Sequence, residues 1–463
     1  MSDETVYYAV PSCLLDYIQS KGYGDPYSPM VEFIFHWNDL LRARGEFWDY
    51  KETTGGVTYE VHRRSVMPAR RVSDEWASLI LNDDTIISTD NEEATEWLGD
   101  YYERTGFKAK GQELVSDAFG MGTAAWGLWI DLATNDLKVR RYDARMIIPL
   151  TWDDDDITEV AFATQTWIRG MMYNQLQMYV KVGETYHIQT IIFDEDGKQV
   201  QLDGIETDFD TLSDLPPFAI VRPAFQNRFI DFSPYGQAVF AEHEDVLKSV
   251  DLAYDAIFNE VDLAKMRIFM SDMMFDVDTK DGQKRIIPFG KTDATIYRKI
   301  SATDDIIKEY APSMRTNEQR EAYRLAVQTL GDHCGFGTHY FDIDKTGGLK
   351  TATEVAADNS MLLRNIRRHE NMIGTAVRQL TRAVLHFAEA FLGESFGEWG
   401  EVHVDFDDSI INDTFQEKQQ DLSEVSAGVM EPWQYRMKWY GEDEETAKAN
   451  APSPVSEQFV PMA

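Results

Sequence analysis

Four consecutive carboxylates follow Trp152 and form the densest acidic run in the chain, from Asp153 to Asp156. Hard divalent cations bind oxygen ligands, so this run could hold the metal of a nuclease. However, consecutive side chains seldom all point at one ion. A solvated turn between two strands is therefore the preferred interpretation, and we predict no metal site here.

Two glycine-containing motifs differ from the known nucleotide-binding patterns. Gly120 and Gly122 with Gly127 have the wrong third spacing for a dinucleotide fingerprint, and they lead into a predicted strand. Gly347-Gly348-Leu349-Lys350-Thr351 opens a predicted helix as a phosphate loop does, but a leucine separates glycine from lysine. The chain also lacks a glycine five residues before Gly348. We predict neither a cofactor nor an ATPase on this chain.

The histidines and cysteines predict no catalytic or structural site. His243, His369 and His386 lie on predicted helices without a partner at zinc-ligand spacing. No Ser/His/Asp or Cys/His set stands out, although a spatial triad need not be visible in sequence. Cys13 and Cys334 are far apart, so we predict no disulfide framework and a reducing cytoplasm during folding.

Composition limits the class of protein. The chain has 463 residues, so two or more domains are expected. Lys and Arg total 44 against 80 Asp and Glu, a formal charge of −36. A protein that grips DNA phosphates is basic on the contacting face, so tight DNA binding is not indicated. No apolar run reaches the ~20 residues of a membrane span, and the N-terminus lacks a signal peptide, so we expect a soluble protein that is not exported.

A long amphipathic helix is predicted from Gln237 to Lys265. Its apolar stripe has spacings of three and four, typical of 3.6 residues per turn. A second stripe, on another face, is acidic, and a solvated surface is the ordinary interpretation of such a stripe. The apolar stripe comprises Val246, Val250, Ala253, Ile257, Val261 and Ala264, and the acidic stripe comprises Glu244, Asp251, Asp255 and Asp262.

A small β module with a local excess of positive charge is predicted after this helix, from residue 266 to 310. Asp281-Gly282 is a hairpin turn signal. A second helix is predicted from Ser313 to Leu330. The cations of the module are Lys284, Arg285, Lys291, Arg298 and Lys299.

A glycine-rich segment follows and interrupts the helical path. Thr351 and Glu354 then form a capping box for a third, very long helix, which we predict to run to Leu392 before Gly393. The segment contains Gly331, Gly335, Gly337, Gly347 and Gly348, together with His333, His339, Tyr340, Lys345 and Lys350.

The N-terminal half is predicted to be an antiparallel meander packed against helices. Gly170, Gly183 and Asp196-Gly197 punctuate its strands at hairpin intervals. The predicted helices are 74–81, 92–105 and 108–119, and the predicted strands are 123–131, 137–142, 157–168, 171–182 and 186–193.

Short helices are predicted after a strand-like stretch at 402–406. Thr414 and Glu417 form a capping box, and Gly428 ends that helix. Pro432 then suits a first helical turn. Glu431 precedes it, where serine or threonine would be a stronger cap, so we predict a weak start for this helix.

Three motifs and their order identify a resemblance. Ser-Pro-Tyr-Gly-Gln at 233–237, Lys-Thr-Ala-Thr-Glu-Val at 350–355 and Trp-Gln-Tyr-Arg-Met-Lys-Trp-Tyr-Gly at 433–441 occur in the order described above. Each motif is only moderately specific. Together they resemble portal proteins of tailed bacteriophages that infect Gram-positive bacteria, from the Trp37 region to about Asn450.

The resemblance implies an α+β, portal-type subunit: an α/β wing, a long-helix stem, a small β-containing clip and a short helical crown. In its terms, Lys284, Arg285, Lys291 and Arg298 belong to the clip, and the acidic stripe lies on the stem. The implied divisions are 1–232 wing, 233–265 stem helix, 266–312 clip, 313–333 second stem helix, 334–350 tunnel loop, 351–406 long helix and wing return, 407–450 crown and 451–463 flexible tail.

The glycine-rich segment resembles the tunnel loop that faces DNA in this family. Lys345 and Lys350 could contact phosphates non-specifically, and flanking glycines would let the loop follow a moving duplex. Alternatively, Lys350 only neutralises a neighbouring acid. The expected DNA-facing residues are Gly335, Gly337, His339, Tyr340, Lys345, Gly347, Gly348 and Lys350.

The resemblance also implies partners and a location. It implies a ring of usually twelve copies at one capsid vertex, through which a separate terminase drives double-stranded DNA. The expected contacts are DNA, non-specific and transient, the terminase large subunit, major capsid and scaffolding proteins, and a head-completion adaptor, with no membrane. The protein is expected in the virion and, during assembly, in the host cytoplasm. Carboxylates lining the passage would repel DNA and ease sliding, or the acidity serves only solubility.

Two other functions stay open. A helical capsid scaffold or adaptor that never meets DNA would share the long helices. A metal-dependent nuclease would use the Asp153 cluster.

Overall fold

The computed structural model describes residues 10–54, 56–131, 134, 136–154, 156–168, 170–202, 205–264, 312–341, 352–406, 414–426 and 428–451, and five strands between 267 and 310. Helices and sheets alternate along the chain, and all strand pairs but β13-β16 are antiparallel among the described residues, so the predicted α+β class is confirmed. No helix in the described part of the chain is long and apolar enough to span a bilayer.

Five helices and a hairpin form the N-terminal part. Two of the predicted helices, 92–105 and 108–119, are confirmed, whereas the helix predicted at 74–81 begins earlier, at Pro68, a residue that suits the first helical turn. The elements are α1 (Ser12–Ser20), α2 (Tyr27–Leu41), β1 (Asp49–Thr54), β2 (Val57–His62), α3 (Pro68–Ile80), β3 (Ile86–Thr89), α4 (Glu92–Thr105) and α5 (Phe107–Met121).

The predicted antiparallel meander is confirmed for the strands at 157–168, 171–182 and 186–193, but it is wrong for those at 123–131 and 137–142, which belong to a second sheet. One sheet has the order β12-β4-β5, and the other is the antiparallel meander β10-β9-β8-β7-β6, with β11 also on β9. Asp143 Oδ1 accepts the Arg145 N–H and turns the chain between the sheets. The strands are β4 (Ala124–Asp131), β5 (Asp136–Asp143), β6 (Ile147–Asp153), β7 (Asp156–Ile168), β8 (Met171–Val182), β9 (Thr185–Phe193), β10 (Gln199–Val200), β11 (Asp208–Asp210) and β12 (Phe218–Val221).

The first long helix, α6 (Glu244–Leu263), begins seven residues later than predicted. The preceding segment is buried in the wing instead, because Gly236 lies directly against Gly122. A Cβ atom on Gly236 would lie 2.3 Å from the Gly122 carbonyl oxygen. The glycine of the Ser-Pro-Tyr-Gly-Gln motif is therefore required by close backbone approach.

The β module contains a three-stranded sheet, β16-β13-β17, and a separate hairpin, β14-β15. Lys280 and Gln283 are paired in the hairpin, on either side of the turn predicted at Asp281-Gly282, and these two residues lie outside the described residues. The strands are β13 (Arg267–Ser271), β14 (Val277–Lys280), β15 (Gln283–Ile286), β16 (Tyr297–Ile300) and β17 (Ile307–Tyr310), followed by α7 (Thr316–His333).

The third long helix, α8 (Ala352–Phe387), continues as a π-helical turn to Leu392. Gly393 ends it at φ +81°, as predicted. The next strand, β18 (Val402–Asp405), pairs with β3 and returns the chain to the N-terminal part.

Three short helices follow β18. The prediction of a weak start at Glu431 is wrong, because Glu431 and Gln434 form a reciprocal capping box. The helices are α9 (Thr414–Ser426), α10 (Pro432–Tyr440) and α11 (Glu444–Asn450).

We predict that Gly236→Ala lowers the free energy of unfolding by at least about 2 kcal/mol, because the new methyl group overlaps the backbone at Gly122. Gly99→Ala in α4 is the control, since its Cβ would meet nothing within 4 Å; it should stabilise the helix by about 0.5–1 kcal/mol. Urea unfolding of both variants measures the difference. Equal stability of Gly236→Ala and the wild type would contradict the prediction.

Candidate functional site

The helices α6 and α7 lie side by side and antiparallel. Tyr254 of α6 contacts Tyr323 of α7, with ring centroids 6.0 Å apart. Nearer the β module, Glu260 Oε2 accepts a hydrogen bond from Arg315 at 2.7 Å. From one contact to the next, the residue number increases in α6 and decreases in α7, so the two helices run in opposite directions. The β module connects the far ends of a helical hairpin.

Asp251, at the centre of the acidic stripe, is fully buried. Its carboxylate accepts hydrogen bonds from the Trp48 indole N–H at 2.7 Å, the Ser65 hydroxyl at 2.5 Å and the Val66 backbone N–H at 2.9 Å. A buried carboxylate is tolerated when its lone pairs are satisfied in this way. Asp251 therefore attaches α6 to the segment between α2 and α3.

Arg64, in the same segment, extends the attachment along α6. Its guanidinium lies 3.3 Å from Asp255 and 3.6 Å from Asp262. Asp255 is largely buried and also accepts from the Asn259 side chain at 2.9 Å. Asp262 is the last residue of the stripe, and 51 % of its side chain is exposed, more than in Asp255.

Glu244 begins α6 and contacts Lys248 and His36. It lies 2.6 Å from Lys248 and 2.8 Å from His36 of α2. Partial burial would raise the pKa of Glu244, but hydrogen bonds from Lys248 and His36 outweigh it, and the pKa is lowered. This carboxylate is charged and paired within the subunit.

The acidic stripe is therefore not a carboxylate lining for a passage. Asp251 and Asp255 cannot face a lumen, because their own subunit covers them. The expectation that the four carboxylates form one solvated or DNA-repelling face is wrong for these two residues. The physical reason is that protein donors replace water at both carboxylates. Trp48, Ser65 and Val66 donate to Asp251, and Arg64 and Asn259 donate to Asp255.

The start of the predicted tunnel loop is a packed turn. Phe336 stacks on Trp76 of α3 with ring centroids 4.5 Å apart, and the Trp76 indole N–H donates to the Cys334 carbonyl at 3.0 Å. Cys334 is buried, and burial raises the pKa of its thiol to about 12. The turn is anchored in the hydrophobic core.

Gly335 and Gly337 are needed for this turn and not for mobility, so that part of the expectation is wrong. Both have positive φ, +88° and +89°. A Cβ on Gly335 would lie 2.8 Å from the Asn365 amide nitrogen, which donates to the Gly335 carbonyl at 2.9 Å. Both glycines are buried. Neither can contact DNA from this position.

Two more loop residues are described, and they differ. The Tyr340 hydroxyl donates to Glu75 at 2.5 Å, and burial followed by this hydrogen bond raises the pKa of Tyr340. His339 is exposed. The remaining residues of the expected DNA contact, Lys345, Gly347, Gly348 and Lys350, lie outside the described residues.

Strand pairing gives the positions of three of the expected clip residues. Lys284 and Arg285 lie on β15 opposite Thr279 and Asp278, and Arg298 lies on β16 opposite Phe269. Lys291 lies outside the described residues. The expected clip cations thus belong to two separate sheets.

The Asp153 run occupies the end of one strand and the start of the next. Asp153 ends β6, Asp154 adopts φ +51°, and Asp156 begins β7. Asp155 lies outside the described residues. Within the described residues, no group of three or more His, Cys, Asp or Glu is arranged to hold a metal ion.

His369 of α8, interpreted from the sequence as a surface or packing histidine, is buried in a junction whose partners sequence reasoning did not identify. Its ring contacts Trp76, Phe119 and Phe225, and its Nδ1 accepts the Ala224 N–H at 3.0 Å. Burial, and then the charge of Arg368, lowers the pKa of His369 to about 3. The contacts join residues hundreds of positions apart, so no local spacing signals them.

We predict that Asp251→Ala lowers the free energy of unfolding by about 3 kcal/mol or more, because it leaves three donors buried without an acceptor. Asp262→Ala is the matched control on the same helix. Its carboxylate is half exposed, so its loss should change stability by less than about 1 kcal/mol. Chemical denaturation provides both values, and similar losses for the two variants would refute the role of Asp251.

We predict that His369 makes stability fall in mild acid. The unfolded chain binds a proton near pH 6.5 that the folded chain accepts only near pH 3, so stability declines as pH falls through this window. Between pH 7 and pH 5, the wild type should lose about 2 kcal/mol more than His369→Gln, whose amide oxygen can still accept the Ala224 N–H. Exposed His339→Gln, the control, should keep the wild-type slope. Parallel slopes for all three proteins would contradict the prediction.

Comparison with protein families identifies one match. The family described as phage portal protein, SPP1 Gp6-like, matches residues 16–451, nearly the whole chain. No curated protein matches the chain.

Solved structures similar to this chain include three from gene transfer agent particles. The virion of the native particle has a TM-score of 0.44 at 10 % identity, covering 88 % of this chain and 92 % of that chain. The neck of the empty particle, computed with C6 symmetry, has a TM-score of 0.42 at 12 % identity, and the neck of the native particle, computed with C12 symmetry, has 0.40 at 12 %. Both necks cover 80 % of this chain and 88 % of theirs.

The match over residues 16–451 includes the helical hairpin of α6 and α7, the packed turn and α8. The chain belongs to the SPP1 Gp6-like phage portal protein family, whose members are structural and non-enzymatic components of the capsid.

Proposed function

We propose that copies of this chain close into a ring at one capsid vertex and form the channel for double-stranded DNA. A separate terminase would drive the DNA during packaging, and the same channel would retain and later eject it. In this proposal α6 and α7 are the stem, strands β13–β17 the clip and α9–α11 the crown. Capsid, scaffolding and head-completion proteins would contact the ring, which assembles in the host cytoplasm, with twelve copies as the expected number.

Exposed apolar side chains on the helical hairpin support the ring. Leu325 of α7 is 66 % exposed, and Leu252 and Val261 of α6 are about half exposed. These side chains lie on helices whose other faces are already packed against each other and against the segment at 48–66. Burial of exposed apolar area is the main driving force of protein association. The hairpins of neighbouring copies on either side in a ring would cover these side chains.

The packed turn limits where the loop can meet DNA. Because Gly335 to Tyr340 are anchored on α3, a DNA contact would fall to the part of the loop that contains Lys345 and Lys350. Two lysines per subunit would contact phosphates without reading bases. With a net charge of −36 per chain, the rest of the protein would repel the duplex, and sliding would stay easy.

We predict closed rings of the purified protein in negative-stain electron microscopy, with a central hole wider than the ~20 Å of a duplex, about twice the diameter of an α-helix. Leu252→Glu with Leu325→Glu should abolish the rings, because it buries unpaired charges between neighbouring stems. Leu212→Glu, an exposed leucine of the wing, is the control and should leave them intact.

Two results would oppose the proposal. A wild-type protein that is monomeric under all assembly conditions would exclude a ring. Rings with a hole too narrow for DNA would favour the scaffold or adaptor function.

A further inference from the structure

One face of α8 carries five arginines over five helical turns, four of them exposed and Arg378 half-buried. The stretch from Ser360 to Arg382 contains one carboxylate, Glu370, and this residue is only 9 % exposed. From first to last, the arginines span about 27 Å at 1.5 Å per residue. This arginine stripe consists of Arg364, Arg367, Arg368, Arg378 and Arg382.

The contacts of the arginine stripe are with neutral groups. Within the described part of the chain, none of its five guanidinium groups forms an ion pair with a carboxylate. Arg378 donates to the Thr375 hydroxyl at 3.0 Å, and Arg368 lies over the Phe225 ring at 5.4 Å. In contrast, Arg145 and Arg315 each have a carboxylate at 2.7 Å.

An unpaired stripe is unexpected in so acidic a chain. Each copy has 36 more acidic than basic residues, so the surface of a second copy is rich in carboxylates. Guanidinium groups bind carboxylates in a bidentate geometry, and such pairs gain most where an interface excludes water. We infer that the arginine stripe of one copy packs against an acidic surface of the next copy in the ring. This inference rests on the proposed ring.

DNA is the other polyanion that this stripe could bind, but the proposed passage disfavours it. Five phosphate contacts per copy, repeated around a ring, would hold the duplex tightly, since each neutralised phosphate adds to affinity. A channel through which DNA slides requires the opposite. The contact between copies has no such conflict.

Charge reversal tests the inference directly. Arg364→Glu, Arg367→Glu and Arg382→Glu combined should raise the protein concentration needed for ring assembly at least about tenfold, because like charges then oppose each other across the interface. The control combines Lys51→Glu, Lys181→Glu and Lys198→Glu, which change the net charge equally on exposed positions elsewhere. Native mass spectrometry counts the copies, and circular dichroism establishes that both variants are folded.

Cross-linking identifies the partner surface. In Arg367→Lys the charge is kept and an amine is introduced, which a carbodiimide links to a carboxylate in direct contact. Rings mixed from isotope-labelled and unlabelled copies should yield cross-links between labelled and unlabelled peptides at this amine. Cross-links only within one copy would overturn the inference.

The outcomes separate this inference from the proposed function. If the wild type forms no ring, the proposed function fails. If wild type and arginine variant form rings at the same concentration, the ring stands and the inference fails. If the arginine variant keeps its rings but loses binding to a short DNA duplex, DNA replaces the second copy as the partner.

Discussion

The buried carboxylate of Asp251 determines how the helical hairpin is joined to the rest of the subunit. It lies in the middle of α6 and accepts three hydrogen bonds from the segment between α2 and α3. Removing a charge from water is unfavourable unless its partners are in place, so any tilt of α6 away from this segment would leave both sides unsatisfied. Arg64 extends the contact by a further turn of the helix through Asp255. The contacts of Asp251 and Asp255 therefore fix the direction of the helical hairpin.

A second fixed point lies where α7 turns towards α8. Trp76, Phe336 and His369 stack in one aromatic cluster that brings together α3, the turn and α8. His369 is held neutral there, which keeps an unpaired charge out of the core. The helical hairpin and the turn at Cys334–Phe341 are consequently positioned by the same packed body.

Local patterns predicted the elements well and their orientation poorly. The spacing of apolar residues predicted α6, and Asp281-Gly282 predicted a hairpin. Gly393 predicted where the helical path ends that the structure shows as α8 and its π-helical turn. These signals act within a few residues. The burial of Asp251 depends on Trp48, about two hundred positions away, and a stripe of carboxylates has the same period whether it faces water or protein. Gly335 was misread because a glycine required by a tight turn and one that provides mobility look alike in sequence.

The charge distribution follows from these two fixed points. Carboxylates that face the wing are paired with Arg64, Lys248 and His36, so much of the acidity of α6 is used inside the subunit. Five arginines remain on the outer face of α8 with no internal carboxylate among the described residues. A chain of −36 that pairs its buried carboxylates and exposes arginines on α8 is not uniformly repulsive towards its own copies. The arginine stripe gives this helix a surface of opposite sign. Long-range repulsion between acidic copies would then be overcome only in the orientation that brings this helix against an acidic neighbour, because exposed charges act over about 8 Å in physiological salt. Under the proposed function, the acidity that would favour DNA sliding would also specify the geometry of assembly.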